Sequence, residues 1–270
     1  MRLGIFGLPQ SGKTTLFNAL TRGSYPVGNA TGKIEIHDAV VDVPDDRVDV
    51  LSKMFSPKKT IYAKVNYADI AGLDGSKSGI SGELLNKLAQ MDGFIHVVRC
   101  FSNDQVPHPN GSVDPARDIE MMEADFILND LVSAEKRLER LDRALIDREI
   151  DLFERLHACL TNEKPLRSLE LIPDEEKVIS GFGLLSRKPM LILLNLDETQ
   201  DVPAISFDSA RSKIDSIRAK IEMEIAQLQP EDAELFMEEY NIAELGLNRV
   251  IRLSYELLGQ QSFFTTGADE

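Results

Sequence analysis

The chain has 270 residues, 43% hydrophobic and 28% charged, which is enough to bury a sizeable core and excludes a disordered polymer. Its net charge of −15 excludes broad non-specific binding to nucleic acid, while leaving room for a local basic patch that docks on ribosomal RNA. No apolar run approaches the roughly 18 residues of a membrane span, the N-terminus has no leader-like pattern, and Cys100 and Cys159 cannot frame a disulfide scaffold; a cytoplasmic location is expected.

The first element, Leu3–Phe6, is short and apolar and reads as a buried strand. It runs into Gly7-Leu8-Pro9-Gln10-Ser11-Gly12-Lys13-Thr14, a G-x-x-x-x-G-K-[ST] phosphate-binding loop, followed by an amphipathic helical start at Thr15–Leu20. Gly7 and Gly12 let the backbone approach phosphate oxygens. The loop N–H groups and the helix N-terminus face an anion, Lys13 reaches the β- and γ-phosphates, and the Thr14 hydroxyl can ligate Mg²⁺.

Thr21 to Lys33 reads as a loop, either a mobile segment closing over the γ-phosphate or a plain surface loop; Thr31 is its candidate Mg²⁺ hydroxyl. Ile34–Val43 is expected as a strand, Arg47–Phe55 as a helix capped by Asp45 or Asp46, and Thr60–Ala68 as a strand. That last strand ends in Asp69-Ile70-Ala71-Gly72-Leu73, a D-x-x-G pattern where open α/β sheets place ligands. Asp69 would hold Mg²⁺ through water, and the Gly72 N–H would sense the γ-phosphate. Gly75–Gly82 looks like a second mobile switch, before a helix at Glu83–Gln90.

Gly93–Phe101 reads as a fully buried strand, with His96 a core histidine and Phe101 placed either to stack on a base or simply to pack. His108, on the Asn103–Asp114 loop, is a candidate proton carrier or water positioner, weighed against a solvated loop histidine. From Ala116 to Lys164 there is no Gly or Pro, and Leu131, Ala134, Leu138, Leu141 and Leu145 recur at three- and four-residue spacing. This predicts an antiparallel helical hairpin turning near Arg143–Asp147. Asp174–Ile179 is a short helix and Lys188–Leu194 a buried strand.

The buried strand ends in Asn195-Leu196-Asp197-Glu198, where P-loop GTPases carry N-K-x-D. Leu196 replaces the lysine that flanks the base, and Glu198 is one methylene longer than the aspartate that reads guanine, so guanine selection weakens and adenine becomes plausible. Asp208–Ser216 is expected as helix, Ile217–Lys220 as the approach to a further base-side loop, and Glu222–Leu228 as helix. An acidic helix start at Pro230–Glu234, a helix at Val250–Leu258 and a strand at Gln261–Thr266 complete the chain.

The phosphate-binding loop, Asp69–Leu73, His96–Phe101, Val113–Pro115, Glu135–Leu141, Asn195–Glu198, Ala219–Glu222 and Tyr255–Gly259 together resemble the YchF/Obg-like ATPases of the Obg branch. The resemblance implies an α/β P-loop G-domain with a mainly parallel sheet (1–115 and 186–270) and an inserted coiled-coil hairpin (116–185). It implies a slow, Mg²⁺-dependent ATPase, with ATP preferred over GTP, acting as a monomer with a ribosome or translation factor. On the motif match Pro9, Gln10, Ser11, Gly12, Lys13, Thr14 and Thr15 hold the triphosphate, Thr14 and Asp69 the Mg²⁺, and Asn195, Leu196, Glu198 and Phe101 surround adenine. Lys13, Gly72 and His108 are the catalytic candidates. Leu73 stands where Ras-like proteins carry a water-orienting Gln, which implies slow turnover. The chain departs from the family in its first switch, where Lys33 falls at the expected Thr, and in Arg218, where a small residue is expected. It also stops at Gly267–Glu270, where family members enter a TGS domain. A GTPase of the same fold and a nucleotide-binding scaffold with negligible turnover are the alternatives.

Overall fold

The computed structural model describes residues 1–25, 36–70, 80–144, 147–205, 211–239, 242 and 244–266. Six strands form one sheet in the order β2-β3-β1-β4-β5-β6. They are β1 (Arg2–Phe6), β2 (Ile36–Asp42), β3 (Lys64–Ile70), β4 (Gly93–Arg99), β5 (Met190–Asn195) and β6 (Ser212–Ile217). Every pairing is parallel except β2 with β3, which is antiparallel. The buried runs Phe94–Val98 and Met190–Asn195 are central strands covered on both faces, as continuous apolar runs dictate.

One face packs against α3 (Gly82–Ala89) and the first half of α4 (Pro115–Ala144), through Leu84, Leu88, Ile119, Met122 and Phe126. The other packs against α1 (Lys13–Thr21), α7 (Ala219–Gln227) and α9 (Gly246–Leu257), through Leu16, Phe17, Ala219, Val250 and Ile251. Two further helices, α2 (Asp46–Phe55) and α8 (Pro230–Glu239), lie outside these layers, and Asp45 caps α2 by accepting the Arg47 N–H.

Between β4 and β5 the chain leaves the sheet. The second half of α4 pairs with α5 (Asp147–Thr161), followed by α6 (Pro173–Ile179). Ala134, Leu141, Phe153, Leu156, Leu160 and Leu166 build a core of their own there. The described helices stop at Ala144 and resume at Asp147, inside the expected turn. Asp130 of α4 ties this arm to the segment that leads back into β5: its carboxylate accepts the Leu185 and Ser186 N–H groups at 2.8 and 2.7 Å and the Ser186 hydroxyl at 2.6 Å.

Three expectations need correction. Ser212–Ser216 is strand β6 rather than helix: Ile214 and Ile217 join the parallel ladder beside β5, and the polar residues between them belong to an exposed sheet edge. Ile217–Lys220, read as the approach to a further base-side loop, is the end of β6 and the start of α7. Gln261–Thr266 forms no strand; it lies against α2, where the Arg47 guanidinium sits 5.0 Å from the Phe264 ring centroid. That cation–π contact takes the place of a ladder partner. Thr31, Lys33, Gly72, Leu73 and 75–79 lie outside the described residues.

Candidate functional site

Parallel strands β1, β3, β4 and β5 all deliver their C-terminal ends to one edge of the sheet, where α/β folds bind ligands. The loop leaving β1 is shaped by close backbone approach. Gly7 has φ 149°, and a Cβ there would lie 2.3 Å from the Val97 carbonyl; Gly12 has φ 99°, and its Cβ would lie 2.2 Å from Asn195 Nδ2. Gln10 takes a left-handed φ of 63° at the exposed crest beside Pro9. Ser11 is buried, and its Oγ has no partner.

Lys13 Nζ donates to the Gly7 and Leu8 carbonyls at 3.0 and 2.8 Å. Burial lowers its pKa to about 8, against the pull of the Asp69 carboxylate. Thr14 Oγ1 donates to Asp69 Oδ2 at 2.9 Å across 55 residues of sequence, joining the loop to the end of β3. Burial raises the Asp69 pKa, while Thr14, Lys13 and His37 oppose it. Asp69 Oδ1 is buried without a partner. An unfilled carboxylate oxygen beside a threonine hydroxyl suits a hard divalent cation that takes oxygen ligands. Among the described residues no group of three His, Cys, Asp or Glu side chains stands ready to hold a metal alone, so phosphate oxygens and water would complete such a shell. Thr15 is half-buried in the first turn of α1.

On the other side of the loop Asn195 is buried. Its Nδ2 donates to the Ser11 carbonyl at 3.0 Å, and its Oδ1 accepts the Ala219 N–H at 3.1 Å. Leu196 is also buried, and its N–H donates to the Ile217 carbonyl at 2.8 Å. Glu198 is exposed and accepts from Lys220 Nζ at 3.0 Å, which raises the lysine's pKa. Phe101, half-buried just beyond β4, lies under the Arg99 guanidinium at 4.6 Å.

The structure thus brings together Pro9–Thr15, Asp69 and Asn195. His108 differs from a solvated loop histidine: it is buried, its Nε2 lies 2.9 Å from Asp118 Oδ2, and its Nδ1 accepts the Asn110 N–H at 3.1 Å. That carboxylate stands in the N-terminal turn of α4. Sequence reasoning missed Asp118 as its partner and Asn195 as the bridge between two loops. The first was findable from an acidic residue ten positions on, in the first turn of a helix; the second needed the sheet order.

A family described as "50S ribosome-binding GTPase" matches residues 2–149. "Ribosome-binding ATPase YchF" of Bacillus subtilis (strain 168) is 35% identical over 287 residues, covering 99% of this chain and 78% of the relative. The protein of the same name from Haemophilus ducreyi is 35% identical over 286 residues, covering 100% of this chain and 79% of the relative. The solved "Structure of the Schizosaccharomyces pombe YchF GTPase" superposes with a TM-score of 0.82 at 26% identity, over 100% of this chain and 78% of that one.

Proposed function

The chain belongs to the YchF family of ribosome-binding ATPases, and we propose that it is a Mg²⁺-dependent switch that hydrolyses ATP slowly, in preference to GTP. It is a nucleotide hydrolase of the P-loop class. The observation that carries the fuller reading is the Thr14–Asp69 hydrogen bond, which sets hydroxyl and carboxylate side by side at the mouth of the phosphate loop.

In this reading the backbone N–H groups of Gln10 to Thr15 cradle the phosphates, and Lys13 turns its ammonium from the Gly7 and Leu8 carbonyls to the β- and γ-oxygens. Mg²⁺ held by Thr14 and Asp69 would offset phosphate charge. Lys220 supports the adenine assignment: a Glu198 carboxylate already engaged by an ammonium is a poorer acceptor for the guanine edge. Leu196 offers no cation to flank the base. Catalysis by His108 requires its release from Asp118. A water-orienting glutamine is missing at Leu73, which favours slow turnover without a partner.

The names of the relatives supply the partner class, a ribosome, which the helical arm (116–185) would help the G-domain (1–115 and 186–270) to meet as a monomer. A ribosomal partner would place its work in the cytoplasm; among the described residues no helix is long and apolar enough to cross a membrane. The word "GTPase" in the matching family and the solved relative favours GTP as the second reading.

Calorimetry with Mg²⁺ and ATP or GTP tests the choice. Tighter ATP binding and measurable phosphate release support the proposal. Tighter GTP binding would overturn the base assignment, and binding without any turnover would leave a scaffold.

A further inference from the structure

Arg218, the residue before α7, is half-buried and faces the loop that follows β5. Its Nε donates to the Asp197 and Glu198 carbonyls at 3.1 and 2.9 Å, and its Nη2 to the Gln200 carbonyl at 2.9 Å. Among the described residues no carboxylate pairs with it; three backbone dipoles answer its charge. Gln200 anchors the same loop from the opposite side. Its Nε2 donates to the Cys100 carbonyl at 2.8 Å, next to Phe101, and its Oε1 accepts the Asp197 N–H at 3.2 Å. The loop is therefore cross-braced between the ends of β4 and β6.

We propose that Arg218 is a positioning residue for base recognition, fixing the Asp197–Gln200 backbone so that Leu196 and Glu198 meet a purine in one geometry. This inference rests on the reading of Asn195–Glu198 as the base-facing loop and names what holds that loop in shape. A short loop with its carbonyls free samples many conformations, and a ligand must then order it on binding. With the guanidinium holding three carbonyls at once, that ordering belongs to folding, and more of the base contact appears as affinity. A planar fork can serve several acceptors in fixed directions, which a lysine ammonium does less well.

The test compares two ligands by calorimetry in the presence of Mg²⁺: ATP, which reaches both loops, and inorganic tripolyphosphate, which reaches only the phosphate loop. Arg218→Ala is expected to weaken ATP about tenfold while tripolyphosphate changes by less than about twofold, and Arg218→Lys to recover part of the loss. Unchanged ATP affinity in Arg218→Ala overturns the inference. So does a parallel loss for both ligands, which marks a general structural role. If the unaltered protein binds ATP no tighter than tripolyphosphate, the base-loop reading fails and this inference fails with it.

Discussion

At Lys13 burial and charge oppose one another. The enclosed ammonium has its pKa lowered to about 8, yet a triphosphate needs it charged. Below that pH the lysine is already protonated, and nucleotide affinity is expected to be flat. Above it, binding must draw in a proton, and affinity falls by up to about tenfold per pH unit. Calorimetry near about pH 9 in two buffers of different ionisation enthalpy reads this uptake directly; equal heats in both buffers would reject it. Asp69 gives the second residue-scale prediction. Asp69→Asn keeps the shape beside Thr14 but removes the negative charge, so Mg²⁺-dependent hydrolysis should fall by about 10- to 100-fold, while nucleotide binding in chelator changes little. A Mg²⁺ titration of turnover in both proteins checks it. The motif spacing named Lys13, Thr14 and Asp69 together because it reports local backbone shape as well as chemistry. Arg218 stood out in the sequence only as a departure, since its three acceptors lie 18 to 21 residues away.

Among the elements, the helices were largely legible because three- and four-residue apolar spacing survives in a chain whose other face is solvated. The two helices of the arm end at Ala144 and begin again at Asp147, within the stretch expected to hold the turn. Strand β6 was not legible: an edge strand buries little, so Lys213 and Asp215 mask the pattern. The bond between the arm and the segment leading into β5 was also hidden, because Asp130 looks like any charged helix residue until its partners at Leu185 and Ser186 are seen. Removing it leaves the Leu185 and Ser186 N–H groups and the Ser186 O–H without an acceptor in the interior, while the hydroxyl oxygen keeps only the Leu166 N–H. Asp130→Ala should therefore destabilise the protein by about 2–4 kcal/mol, measured by urea unfolding. Burial also raises the Asp130 pKa from 3.8 to about 6, in spite of its three hydrogen bonds. Between those values the folded protein binds the extra proton, so this site makes stability fall as pH rises from 3.8 to about 6. Asp130→Asn should flatten that part of the stability profile; an unchanged slope would place the titration elsewhere.

For the whole molecule, a net charge of −15 constrains how it would meet the ribosome proposed as its partner. A partner rich in phosphate repels most of this surface, so contact must be local. Raising salt from about 50 to 200 mM should cost less than about tenfold in ribosome affinity, against the 10³–10⁵ of proteins that neutralise many phosphates. Co-sedimentation across that range checks it, and a steep slope would reveal an extensive basic footprint. The sheet order also has a consequence at this scale, through the Asn195 side chain that spans Ser11 and Ala219. On the proposed reading of the site, this one amide would couple the phosphate loop to the loop that faces the base. What steadies one loop would then steady the other, so adenosine and tripolyphosphate, added together, should each bind tighter than when added alone. Asn195→Ala should make the two fragments bind independently, and each fragment measured alone will describe the whole ligand poorly for as long as the amide is present.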